Sequence, residues 1–161
     1  MIMRPVARFL ILLCAMPLAA QAAQLLPAAS DKATAQQCSA CHMAYPAQML
    51  PARSWQALMS DLSHHFGEDA SVSDQDRAAI TAYLTTHAAD RLAAGREGQL
   101  FLRGLSPSMT PLKITDTPWW RRRHSEISPQ RFNSAKVKTA ANCGACHNGR
   151  RGCLWGLFDE D

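Results

Sequence analysis

Cysteine and histidine recur in two short strings with the same spacing. Each string has two cysteines separated by two residues and a histidine directly after the second: Cys38, Cys41 and His42, then Cys143, Cys146 and His147. Two thiols at this spacing can each add to one vinyl group of a haem, and the adjacent histidine is then carried under the iron as a ligand. Two copies in one chain predict two covalently attached c-type haems.

Other uses of paired cysteines fit less well. A redox-active cysteine pair of the thioredoxin type lies near alternating strands and helices, and this sequence has no strand pattern. A zinc site of four thiolates would leave the histidine after each pair unexplained. Two disulfides would close very small loops.

The first 23 residues have the three parts of a secretory signal peptide. Arg4 and Arg8 supply positive charge, residues 9–18 are apolar, and residues 20–22 read Ala-Gln-Ala, a cleavage motif. The apolar run is too short for a spanning helix, which disfavours an uncleaved membrane anchor. We therefore expect a soluble, exported protein in an oxidising compartment, most simply a bacterial periplasm.

Each haem iron has a second axial position, and the sequence offers several ligands for it. Methionine would raise the reduction potential, whereas a second histidine would leave it low. The histidines outside the two strings are His64, His65, His87 and His124.

Helical periodicity separates the first three of these histidines. A helix opened by Ser54 would place five apolar residues on one side: Trp55, Leu58, Met59, Leu62 and Phe66. His65 falls at the margin of this face and can reach a buried iron, whereas His64 points to solvent. A second helix, starting after Ser73, carries His87 on its apolar face, so His87 remains a competitor.

His124 is the only remaining histidine outside the strings beyond residue 90. A nearby histidine ligand for the second iron must therefore be His124, with Trp119 and Trp120 offering apolar surface to the haem edge. The alternatives are a solvated basic loop around residues 121–123 and ligation by Met109.

The elements that must position these residues are helical. A short helix-compatible stretch precedes each motif, at residues 33–37 and 135–142. Residues 24–90 predict a haem domain like a class I cytochrome c, and residues 91–161 a second, small haem domain that is irregular and helical. We expect a mainly α fold in which each haem supplies much of the core, because such small domains bury little apolar surface alone.

Charge differs between these two predicted domains. Residues 24–90 contain 3 basic and 7 acidic side chains, a net charge of −4, whereas residues 91–161 contain 12 and 6, a net charge of +6. Nucleic acid is an implausible partner for an exported haem protein. The basic region would instead neutralise haem propionates or attract an acidic redox partner, unless its arginines are simply solvated.

Five strings together resemble the small periplasmic dihaem cytochrome c family: residues 41–46 (CHMAYP), 50–55 (LPARSW), 65–71 (HFGEDAS), 117–120 (TPWW) and 141–147 (ANCGACH). The resemblance implies two domains, each with one low-potential haem held by two histidines. It places the distal ligands at His65 and His124 and puts Tyr45 between the haems. It also implies electron donation to a small oxygen-binding monohaem cytochrome, often alongside a membrane b-type cytochrome.

These features predict an electron-transfer protein and not an enzyme, since two axial ligands leave an iron no open position. The alternative is a haem enzyme or gas sensor with one five-coordinate iron, which requires that His124 is not a ligand. Residues 153–158, an apolar run that includes the unpartnered Cys153, depart from the pattern of the family.

Overall fold

The computed structural model describes residues 29–147, which contain six short α-helices. They are α1 (Lys32–Cys38), α2 (Ala52–Ser60), α3 (Asp74–Thr86), α4 (Gly95–Phe101), α5 (Pro118–Arg123) and α6 (Pro129–Phe132). Single turns of 3-10 helix cover Ala47–Met49, Leu62–His64, Leu92–Ala94, Ile114–Asp116 and Cys143–Ala145. The described part of the chain contains no β-strand, so the predicted mainly α class is confirmed. The predicted signal peptide, residues 1–23, and Cys153 lie outside the described residues.

The N-terminal segment, residues 29–90, is organised around α2 and α3, which pack against each other while α1 contacts α3. Its largest buried side chain, Trp55, donates an indole hydrogen bond of 2.7 Å to the carbonyl of Ala47, so the polar end of this ring is satisfied. The core cluster contains Ala47, Leu50, Ala52, Trp55, Met59, Ile80, Leu84 and Ala88.

Helix boundaries in this segment match the expectations at one helix and differ at another. The Ser73 hydroxyl accepts from the backbone N–H of Asp76 at 3.1 Å and starts α3 as predicted. The helix expected from Ser54 to Phe66 is wrong, because α2 begins at Ala52 and ends at Ser60. Beyond it, Asp61 has a non-helical φ of −140° and its carboxylate bonds side chains further along the chain. Such local polar contacts compete with helix continuation.

The C-terminal segment, residues 91–147, is less regular. Neither α5 nor α6 has a buried residue. The helix expected over residues 135–142 is absent, since Lys138 has a left-handed φ of 69° and the side chain of Asn142 donates to the Val137 carbonyl at 3.0 Å. No helix of the described residues is long and apolar enough to cross a membrane.

The two segments meet at a tight junction. A second core cluster spans the boundary, with members Met49, Ala89, Leu100 and Phe101. On the N-terminal side of this junction, the N–H of Ala89 donates to the carbonyl of Leu50 at 2.9 Å, and the N–H of Ala52 donates to the Asp90 carboxylate at 2.8 Å. These bonds hold the last residues of the N-terminal segment against its own core. A Cβ on Gly98 would lie 2.8 Å from the Ala89 carbonyl oxygen, so only glycine permits this approach of α4.

Candidate haem sites

His42 and His65 form the first histidine pair. Their ring centroids are 6.1 Å apart and their planes differ by 24°. His42 Nδ1 donates to the carbonyl of Met43 at 2.7 Å, because a carbonyl can only accept. The proton therefore sits on Nδ1, which leaves the Nε2 lone pair free to bind a metal.

His65 lies in the turn after α2 and is half-buried. Its buried Nδ1 has no hydrogen-bond partner within residues 29–147, which native interiors avoid unless the ring serves another group. Burial lowers the pKa of His65 below its usual range, and the neighbouring His42 lowers it further. A neutral imidazole is the form that binds a metal.

The competing histidines of this segment make other contacts. His64 is exposed and pairs with Asp61 at 2.7 Å, a hydrogen bond that raises the pKa of His64. His87 follows the last turn of α3, where its Nδ1 donates to the Tyr83 carbonyl at 2.9 Å and its ring packs 4.6 Å from the Tyr83 ring. The structure brings His65, and not these two, to His42.

His124 and His147 form the second histidine pair, with ring centroids 6.1 Å apart and planes that differ by 76°. His147 follows the 3-10 turn of the second motif, where its N–H donates to the Cys143 carbonyl at 2.8 Å. Burial lowers the pKa of His124; the Trp120 carbonyl raises it, while His147 and Arg123 lower it.

The position of His124 is set by the short helix α5. The Thr117 hydroxyl accepts from the Trp120 N–H at 3.3 Å, and Pro118 occupies the first helical position, where its missing N–H costs nothing. His124 then follows the last residue of α5, four positions after Trp120. One turn of helix therefore brings these two rings together.

Two of the described methionines lie in the protein core, and a third makes a main-chain contact. Met49 and Met59 are buried in the two core clusters. The carbonyl of Met109, the alternative ligand for the second iron, accepts a 2.7 Å hydrogen bond from Arg53 of α2. This bond ties the main chain at Met109 to the N-terminal segment.

The four motif cysteines are free thiols, with Cys41 exposed and the other three half-buried. Burial raises the pKa of the Cys38 and Cys143 thiols. No group of three or more metal-binding side chains occurs within residues 29–147, so the two cysteine pairs do not assemble a zinc site there.

Tyr45 connects the two motifs. Its ring packs on the His42 ring, with centroids 4.9 Å apart and planes 25° apart. Its hydroxyl donates a 2.7 Å hydrogen bond to the carbonyl of Ala141, two residues before Cys143. Burial, with a contribution from Cys143, raises the pKa of Tyr45 to about 12, so the hydroxyl keeps its proton at neutral pH.

The geometry of both pairs fits a haem iron between the rings. With metal–nitrogen bonds of about 2 Å, two imidazoles on opposite sides of one metal have centroids about 6 Å apart. Both pairs show 6.1 Å. In each pair one ring also belongs to a motif that supplies two unpaired thiols. Two such motifs with two such histidine pairs define a c-type cytochrome with two haems.

Comparison with known proteins identifies the family. Residues 34–154 match the dihaem cytochrome c family. The chain is 50% identical to a diheme cytochrome c from Rhodobacter sphaeroides, with a TM-score of 0.68 over 76% of this chain and 94% of that one. The chain is also 43% identical to a DHC purified from Rhodobacter sphaeroides, with a TM-score of 0.62 over 76% of this chain and 95% of that one. The chain is 36% identical to a diheme cytochrome c from Shewanella baltica, with a TM-score of 0.58 over 81% of this chain and 88% of that one.

No curated protein matches the chain. The chain belongs to the dihaem cytochrome c family, as its motif strings predicted, and it carries two c-type haems. Haem-based electron transfer is the function that this family implies.

Proposed function

We propose that the protein is a periplasmic electron-transfer cytochrome and not an enzyme, with two six-coordinate, low-potential haems. Thioether bonds from Cys38 and Cys41 hold the first haem, and bonds from Cys143 and Cys146 hold the second. The single observation that carries the proposal is the 6.1 Å separation within both histidine pairs.

In this proposal His42 and His65 bind the first iron and His147 and His124 bind the second. Each bound haem supplies an iron that gains and loses one electron. The chain's own residues fill both axial positions, which leaves none for oxygen or peroxide, and histidine in place of methionine keeps the reduction potential low. The backbone carbonyls at Met43 and Trp120 hold the Nδ1 protons of His42 and His124, so that Nε2 faces the iron.

The localisation and the domain division belong to the same proposal. Residues 1–23 are removed as a signal peptide, residues 24–90 form the first haem domain, and residues 91–161 form the second. The charged start, the short apolar run and the Ala-Gln-Ala string support export, since c-type haems occur in exported proteins that such signals direct.

The partner is a redox protein with an acidic face, and a small oxygen-binding monohaem cytochrome is the first candidate. Arg121, Arg122 and Arg123 are exposed directly before His124, on a region of positive net charge. Positive charge beside a haem site attracts acidic partners and speeds their association. We expect partner affinity to fall as salt rises, and affinity that is independent of salt would contradict this docking mode.

Two spectroscopic measurements on the mature, haem-loaded protein test the ligation. We expect EPR of the oxidised form to show two low-spin haems and no high-spin iron. We also expect carbon monoxide to leave the absorbance spectrum of the reduced form unchanged, because no axial position is open. A carbon monoxide shift at either haem would mean a five-coordinate iron and favour a haem enzyme or gas sensor.

A further inference from the structure

The two histidine pairs differ in the orientation of their rings. Both pairs have a centroid separation of 6.1 Å, yet the planes are 24° apart in the first pair and 76° apart in the second. The first pair is therefore nearly parallel and the second nearly perpendicular. The surroundings of the two distal rings, His65 and His124, differ as well.

Trp120 contacts the His124 ring in two ways. Its indole stacks on the His124 ring with a centroid separation of 4.3 Å and an interplanar angle of 15°. Its carbonyl accepts from His124 Nδ1 at 2.9 Å. Phe132 of α6 packs against both rings, 5.5 Å from Trp120 and 6.4 Å from His124. Turning the His124 ring parallel to His147 would break the stacking and the hydrogen bond together.

In the part of the chain that the structure describes, the His65 ring has no comparable contacts. The neighbouring Phe66 ring lies 4.8 Å away but is tilted by 59°, so it does not stack on the imidazole. Phe66 is 52% exposed, and none of the described residues hydrogen-bonds to the buried Nδ1 of His65. Nothing in this surrounding turns the His65 plane across that of His42.

We propose that Trp120 is a positioning residue that holds the His124 ring across the His147 ring and so makes the two haem irons electronically different. The inference rests on the proposed ligation of the second iron by this pair. Imidazole planes that are parallel split the iron d orbitals into which they donate, whereas perpendicular planes leave those orbitals almost degenerate. Ligand orientation thus joins ligand identity and hydrogen bonding in setting the properties of each haem.

EPR of the oxidised, full-length mature protein tests this proposal. We expect one rhombic low-spin signal from the first haem and one strongly anisotropic low-spin signal from the second. The substitution W120L removes the stacking but keeps the backbone carbonyl, so the anisotropic signal should broaden and shift towards the rhombic form. W120F restores an aromatic stack and should recover the wild-type spectrum. F66L, the matched change beside His65, should leave both signals unaltered.

The outcomes separate this inference from the ligation on which it rests. Two rhombic low-spin signals in the wild-type protein, or a W120L spectrum identical to wild type, would overturn the role of Trp120 while leaving ligation by two histidines intact. A high-spin second haem in the wild type would instead overturn the ligation itself. If W120L fails to assemble, the wild-type spectrum can still overturn the proposal, because two rhombic signals would leave no perpendicular pair for Trp120 to hold.

Discussion

The N-terminal and C-terminal segments present the same cysteine and histidine motif on different supports. The first motif lies at the end of α1, beside a core in which α2 and α3 pack directly on each other. The second motif lies on a 3-10 turn reached through a loop, and α5 and α6 bury no residue of their own. Yet the paired rings are equally far apart at both sites.

The separation of the paired rings therefore does not require the same arrangement of helices at both sites. In the first pair the motif histidine is the stacked ring, since His42 packs on Tyr45. In the second pair the distal histidine is the stacked ring, since His124 packs on Trp120. Each pair therefore has one ring that stacks on an aromatic side chain, the motif histidine in the first pair and the distal histidine in the second. The separation of the ring centroids is the same in both pairs.

Removing a distal histidine should give the largest effect and test whether both pairs act alike. We expect H65A and H124A each to convert one haem to a high-spin, carbon monoxide-binding form and to leave the other unchanged, because each removes one axial ligand. Absorbance and EPR spectra of the purified proteins measure this.

The matched controls are H64A and H87A, whose rings contact Asp61 and Tyr83 instead of a motif histidine. Both should keep two low-spin haems. A high-spin haem in H87A together with an unchanged H65A would transfer the distal role to His87.

Preventing attachment of the second haem should destabilise the C-terminal segment more than the N-terminal segment. In the double substitution C143S/C146S we expect α5 and α6 to lose hydrogen-exchange protection, because neither contains a fully buried residue. Peptides from α2 and α3 in the same sample are the control and should stay protected by their shared core. An equal loss of hydrogen-exchange protection in both segments would contradict the expectation that the N-terminal segment depends less on the second haem.

The contact between the motifs should contribute a smaller, measurable stability. Y45F removes the hydrogen bond to the Ala141 carbonyl but keeps the ring on His42, so we expect a loss of about 1 kcal/mol in the free energy of unfolding. Guanidinium titrations followed by circular dichroism measure it. Y83F is the control, since the one hydrogen bond of its hydroxyl among the described residues comes from the exposed backbone N–H of Ser30. Indistinguishable midpoints for wild type and Y45F would remove Tyr45 as a link.

The smallest effect concerns the start of α1, which has no counterpart at the second motif. The Asp31 carboxylate accepts from the Thr34 N–H and hydroxyl, both at 2.8 Å, and the backbone hydrogen bond is the main cause of its lowered pKa. A lowered pKa in the folded state stabilises the protein above the ordinary value of 3.8, and this stabilisation is lost as pH falls through the lowered pKa.

D31N keeps a capping oxygen but cannot titrate, so its unfolding midpoint should decline less steeply below pH 3.8 than that of wild type. The exposed E126Q, in the other segment, is the control and should follow the wild type. Identical acid slopes for D31N and wild type would show that this cap does not contribute.

The sequence predicted the haem chemistry better than it predicted the helices and turns that carry the site residues. Motif spacing is local, so the two haems and the mainly α class could be read directly. His65 and His124 stay predictions as distal ligands, and the helix that predicted His65 ends at Ser60. Phe66, expected on the apolar face, is 52% exposed because its left-handed φ of 55° turns the chain away.

Contacts between distant parts of the chain could not be predicted in this way. The bond from Tyr45 to Ala141 joins residues 96 positions apart, and no periodicity encodes such a pairing. The stack of Trp120 on His124 had a local signal, since an aromatic residue and a histidine stand four positions apart. Its effect on the angle to His147 depends on a loop whose path the sequence pattern did not reveal.

The close approach at Gly98 has a kinetic consequence. The rate of electron tunnelling falls steeply with every added ångström between two redox centres. If the two haem sites moved relative to each other, electrons would pass between them at a range of rates. Backbone contact between α4 and Ala89, together with the hydrogen bond from Ala89 to Leu50, holds α4 against the N-terminal segment. Phe101 of α4 in turn packs 4.3 Å from the Trp119 ring of α5, the helix that precedes His124. The internal electron step should therefore proceed at one rate, without waiting for a motion of the chain.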